Sequence, residues 1–378
     1  MTGGRRGAFW PSQVQRQLLA VALGTGEETL AAWQALRPTL DLDTLEPGSF
    51  TLLPLVHRTL AEGGSDDPLL PRLKGIHRNT WVRNNLLLER TGETAGVLEA
   101  AGIRPLFVGG TLFASRFFPD LGLRPTAAVE LLIDPEHAAS TCAHLAGAHW
   151  TFRADITEGH TGPSYFSDAH ENLCIVRTAL GFDFALTGDV ALAHAPLWEN
   201  AEPQQLRSGG TPLFPAPTEA LLVALVLGAR RKPTPSIAWI LDTVMILRHA
   251  ADRVDWQRLF DLGLPRGQAL RLREALGYVS GLPQVDVPRA VLDRLAATPV
   301  SLAERLIYAG GAGSAARLGA LPEVVAEQLV ESAGLGPAHA ITSFPGRLRA
   351  RWGLRSSSQL PVAAGRRALR HISGRTGT

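Results

Sequence analysis

Apolar positions in the first hundred residues recur at helical spacing. Pro11-Ser12-Gln13 opens a helix running to about Ala22, residues 27–36 form a second, and 50–61 a third entered from Pro47-Gly48. A long helix follows over 71–101, carrying Leu73, Ile76, Trp81, Leu86, Leu87, Leu88, Val97 and Leu98, and Gly102 stands where a C-terminal cap belongs. The pattern then changes. Residues 104–108 are a short, largely apolar run that stops at Gly109-Gly110, too short for a helix and read as a buried strand. Helical spacing returns over 111–118, a second short apolar run covers 127–133, and 135–146 is helical again. Weaker strand signals fall at 149–153, 164–166, 172–178 and 181–186. From residue 218 onward the chain reads as helices over 218–229, 236–249, 255–262, 266–279 and 287–297, with a Gly/Ala-rich linker or loop at 310–316.

These signals predict an α/β fold of the α+β kind. A small mixed sheet over 103–215 is flanked by an N-terminal helical region (1–102) and a C-terminal helical domain (216–340), and a basic tail (341–378) follows.

Composition narrows the class. The chain has 378 residues, 45% hydrophobic and 19% charged, with only 6% aromatic, so its core must be built mainly of Leu, Ala and Val. The net charge of +2 argues against nucleic-acid binding by the chain as a whole. Cys142 and Cys174 are too few for a disulfide framework or a cysteine-rich zinc site. The start, MTGGRRGAFWPSQ, lacks the apolar core of a signal peptide, and the run from Ala220 to Ala229 falls far short of the ~20 residues a membrane helix needs. A cytoplasmic protein with no membrane association is expected. From Ile341 to the end there are eight arginines and no acid. That segment reads as a solvated tail, or as a docking segment for an acidic partner protein or a phosphate.

The densest chemistry lies in Phe107–His137, FVGGTLFASRFFPDLGLRPTAAVELLIDPEH. A strand feeds a Gly-Gly turn and a helix begins at once. Amides at such a helix start are free to hold a phosphate, and glycine lets backbone approach closely. The second strand carries Glu130, with Asp134 four residues on. A phosphate-binding turn (Gly109, Gly110, Thr111) beside a carboxylate is the outline of metal-assisted phosphoryl or nucleotidyl transfer. The competing reading is an ordinary strand-to-helix turn.

The same stretch resembles a bacterial family of uncharacterised nucleotidyltransferases associated with natural-product and polysaccharide genes. The resemblance rests on Ala101-Gly102-Ile103, Gly109-Gly110, Phe118-Pro119-Asp120 and Gly122-Leu123-Arg124-Pro125, and later on Trp239-Ile240-Leu241-Asp242 and Val254-Asp255-Trp256. It covers roughly residues 50–300. It implies a nucleotidyltransferase fold, a nucleotide, peptide or small-molecule ligand, and, in an active member, Mg²⁺ held by an Asp-x-Asp or Asp-x-Glu pair.

This sequence departs from that pattern. Ala128 stands at the first metal position and Glu130 at the second. The resemblance places a third acid on a later strand. Asp183 supplies it in the favoured register, and a rival register through Glu171-Asn172-Leu173-Cys174 has none. Histidines expected on the helix after the sheet are absent, and Arg230-Arg231-Lys232 stand near its end, either as phosphate ligands or as a helix terminus matched to its dipole. The expected product is a degenerate nucleotidyltransferase acting by binding. The alternatives are a transferase using Glu130 and Asp183 as metal ligands, or a repurposed fold running metal-free chemistry.

Other polar residues carry weaker expectations. Asp134, Glu136 and His137 read as a helix start with Asp134 as cap. Asp155, Glu158, His160, Asp168 and His170 read as a solvated loop. Arg124 anchors the turn before the second strand or contacts a nucleotide phosphate, and Asp242 needs a buried partner.

Overall fold

A computed structural model describes residues 9–155, 164–180, 194–229 and 236–311, with single positions and one short turn between 346 and 361. Its N-terminal part is helical: α1 (Gln13–Leu23), α2 (Gly26–Leu36), α3 (Leu53–Glu62) and the long α4 (Leu70–Ala100). α1 begins in a capping box, where the Ser12 hydroxyl accepts from the Gln15 amide and the Gln15 side chain accepts from the Ser12 amide. The stretch before α3 winds as a 3₁₀ turn over Pro47–Leu52, so the third helix starts later than its apolar spacing predicts. α4 ends in a Schellman motif. Gly102 lies in the left-handed region, and the Gly102 and Ile103 amides donate to the Glu99 and Leu98 carbonyls.

The sheet follows. Its strands are β1 (Leu106–Val108), β2 (Ala128–Leu132), β3 (Thr151–Asp155), β4 (Ser164–Ser167), β5 (Leu173–Arg177), β6 (Glu202–Pro203) and β7 (Leu213–Phe214), in the order β3-β4-β5-β2-β1-β7-β6. β1 and β2 run antiparallel with Val108 opposite Glu130, while β2 and β5 run parallel with Glu130 opposite Ile175. Two short helices, α5 (Gly110–Arg116) and α6 (Ala138–Gly147), connect these strands. β6 and β7 extend the β1 edge and are only two residues each. The predicted strand over 181–186 lies outside the described residues.

Beyond the sheet lie α7 (Pro196–Glu199), α8 (Pro217–Gly228), α9 (Ala238–His249), α10 (Trp256–Gly263), α11 (Ala269–Val279), α12 (Arg289–Ala297) and α13 (Leu302–Gly311). Every residue of α8 is buried, as its unbroken apolar sequence requires. α8 and α9 pack closely at Gly228, where a side chain would collide with Trp239. α13 takes up Gly310 and Gly311, which the sequence placed in a linker or loop; its amphipathic start at Leu302 carries the helix into them.

Buried residues of the N-terminal helices, the sheet and the C-terminal helices join one hydrophobic cluster. The Trp239 indole donates to the Phe9 carbonyl at 2.9 Å, and Trp10 meets Trp239 edge-on. Among the described residues no helix is long and apolar enough to cross a membrane.

Candidate functional site

The turn after β1 is shaped by what sits against it. Gly109 adopts φ 89°, ψ −156°, a conformation open in practice to glycine alone. A Cβ there would stand 2.7 Å from Glu130 Oε1, and a Cβ on Gly110 would overlap the Thr126 hydroxyl. The two glycines therefore make room for side chains from β2 and its approach. Thr111, the next residue, is buried and its hydroxyl has no hydrogen-bond partner among the described residues.

β2 sets the faces of the site by simple alternation. Val129 and Leu131 are fully buried on one side. Ala128 and Glu130 share the other, and the parallel partner β5 brings Leu173, Ile175 and Arg177 to it. Arg177 reaches diagonally across and donates from Nε and Nη2 to Glu130 Oε2 at 3.2 and 3.1 Å. Only 13% of the Arg177 side chain and 22% of the Glu130 side chain remain exposed, so the pair is largely desolvated. On this face of β2 and β5 the single carboxylate is therefore held by a guanidinium on one side and pressed on Gly109 on the other. Ala128, where the resemblance places a metal acid, is a buried methyl group opposite Leu173.

Arg124 lies just before β2 and is buried. Its Nε and Nη2 form a two-pronged contact with Asp242 on α9 at 2.7 and 2.8 Å. Asn84 on α4 fastens the same turn, donating to the Arg124 and Leu121 carbonyls. Burial alone would push the Arg124 pKa down, but Asp242, and more weakly Glu130, push it above its ordinary value. The guanidinium bonds Asp242 and feels the Glu130 charge.

The remaining candidates separate cleanly. Asp183 lies outside the described residues, as do Glu158, His160 and Arg230-Arg231-Lys232. The strand beside β2 is Leu173–Arg177, which puts the segment through Asn172 and Leu173 next to Ala128. Asp134 caps a 3₁₀ turn by accepting from the Glu136 amide, with His137 at its end. Asp155 closes β3. Asp168 is buried and organises the β4–β5 turn, accepting from the His170 and Asn172 amides, the Asn172 side chain and Arg90. His170 is exposed. Among the described residues no three His, Cys, Asp or Glu side chains cluster as metal ligands.

Two participants escaped sequence reasoning. Arg177 ends an apolar run and would have been suspected only if β5 had been known to pair with β2. Thr126 gives no signal without knowledge of the glycine it packs on. A search of curated proteins returns no match. A family model described as an uncharacterised nucleotidyltransferase matches residues 51–284, from the helix before α4 through α11, and the chain belongs to that family.

Proposed function

We propose that this protein is a nucleotidyltransferase-fold protein with a degenerate metal site, acting by binding a nucleotide, a peptide or a partner protein in a biosynthetic pathway. The observation that carries the reading is the Arg177–Glu130 pair beside Ala128. Mg²⁺ is held by oxygen ligands from carboxylates, waters and substrate phosphates in near-octahedral geometry. The described residues do not fit it: a methyl group stands at one ligand position, and a guanidinium takes the carboxylate at the other. A fixed cation so placed neutralises Glu130 without any metal and leaves the Gly109–Gly110 turn intact as a structural element.

The test is calorimetric titration of nucleoside triphosphates with and without Mg²⁺, alongside a turnover assay. The wild type is expected to show no nucleotidyl transfer and no Mg²⁺-dependent tightening. The double variant Ala128→Asp/Arg177→Gln is expected to gain Mg²⁺-dependent nucleotide binding, because it restores one oxygen ligand and frees another. Mg²⁺-dependent transfer by the wild type that Glu130→Gln or Asp183→Asn abolishes would overturn the proposal. It would favour instead a transferase with the reduced acid set Glu130 and Asp183.

A further inference from the structure

A second concave region lies where the α1–α2 turn, α3, the end of α9 and residues 284–286 meet. Its volume is about 800 Å³, and none of the residues around Gly109 lines it. That size falls within the range of small-molecule sites. Two arginines and a histidine line it: Arg58 from α3, and Arg248 and His249 from the last turn of α9.

Arg248 is the informative one. Its Nη2 donates to the Leu23 carbonyl at 2.8 Å and the Pro283 carbonyl at 2.6 Å, tying two chain segments together. Its Nε is sealed from solvent and has no acceptor among the described residues. Among the described residues no carboxylate lies within ion-pair distance of it. A sheltered charge is normally matched by an opposite one. Here two neutral carbonyls share one amine, and the rest of the guanidinium has no partner among the described residues. The surroundings add positive charge. Burial, and then the Arg248 and Arg58 charges, push the His249 imidazole below its ordinary pKa. Two acids also line the cleft. Glu62 is already engaged by Arg58 at 2.7 Å in an exposed pair, and Asp286 is exposed and pairs with no described cation.

The macrodipole explains why a cation is tolerated at the end of α9. It does not explain two arginines on one hollow with the more sheltered of them, Arg248, matched by no described carboxylate. We propose that this cleft is a binding site for a small organic anion, whose phosphate or carboxylate group seats on Arg248 between Arg58 and His249. Nη1, the amine of Arg248 that donates to neither the Leu23 nor the Pro283 carbonyl, is the one that would meet an oxygen of the anion.

The experiment is titration of the full chain by calorimetry with inorganic phosphate and, separately, with citrate. These probes distinguish a phosphate ligand from a carboxylate one. At least one is expected to bind with unit stoichiometry, and Arg248→Gln is expected to weaken it by tenfold or more. Arg248 also fastens Leu23 and Pro283, so its loss would loosen the fold as well. Arg58→Gln and His249→Gln alter exposed side chains and test the site without that complication; each should weaken binding several-fold with an unchanged melting temperature. Arg177→Gln, at the other site, should leave the affinity as it was. Failure of both probes to bind overturns the proposal. So does an affinity unchanged in both Arg58→Gln and His249→Gln, or one lost in Arg177→Gln.

Discussion

Replacing Gly109 by alanine tests the geometry of the turn directly. The backbone at φ 89°, ψ −156° is a region where a residue with a Cβ costs about 1–3 kcal/mol. The added methyl would lie 2.7 Å from Glu130 Oε1, 2.8 Å from its Cδ and 3.0 Å from its Cβ. Forcing a group into such a packed space costs about 1–3 kcal/mol more. Gly109→Ala should therefore destabilise the protein by about 2–6 kcal/mol, read as a lower urea midpoint at constant slope. The two contributions can be separated. Glu130→Ala removes the two nearest of those atoms, so in the double variant most of the collision disappears while the backbone strain stays. A double-mutant cycle should then show a favourable coupling of about 1–3 kcal/mol between the two changes. Additivity within about 0.5 kcal/mol would mean that Glu130 does not rest on the turn, and the account of the site would fall.

Two further predictions concern buried charge. Asp242→Leu should cost about 3–5 kcal/mol because it strands Arg124 in the core, whereas Arg124→Met/Asp242→Leu should recover most of that in the same urea assay; equal loss in single and double variants would refute the pairing. Burial would raise the Asp168 carboxyl pKa, but the Asn172 side chain and amide, the His170 amide and Arg90 together hold it below its ordinary value. A depressed native pKa means that the stability Asp168 contributes is present above the unfolded value of about 3.9 and is lost as pH falls through the lower native one. Asp168→Asn should accordingly lower the melting temperature at pH 7, with the gap to wild type narrowing in acid; a gap independent of pH would contradict this.

Much of this architecture could be read from the sequence, for reasons visible in particular residues. β1 was legible because a short, largely apolar run stood between a glycine-capped helix and Gly109-Gly110, β2 because six of the seven residues 127–133 are apolar, and the helices α8 to α12 were legible from long apolar spacing; α13 was not. β6 and β7 were not. Glu202–Pro203 and Leu213–Phe214 are too short for any period to register, and they are strands only because the β1 edge offers partners. The site was legible on its first half, where Gly109, Ala128 and Glu130 are close in sequence. The partner of Glu130 was not, because Arg177 lies 47 residues away and arrives through a parallel pairing that no local pattern encodes. Asp242 signalled a buried partner from its apolar surroundings, but only the folded chain identifies it as Arg124, 118 residues away.

The bond from the Trp239 indole to the Phe9 carbonyl spans 230 residues. Phe9 and Trp10 are buried against Trp239 and Tyr308 or Tyr278, and so have no finished place to go until α9 and the helices after it exist. During synthesis Phe9 leaves the ribosome 230 residues ahead of the Trp239 it binds, and must wait for that neighbour. The aromatic pair is thus held by contacts whose loop must close over more than two hundred residues, an entropic cost that the local turns of α1 and α2 do not carry.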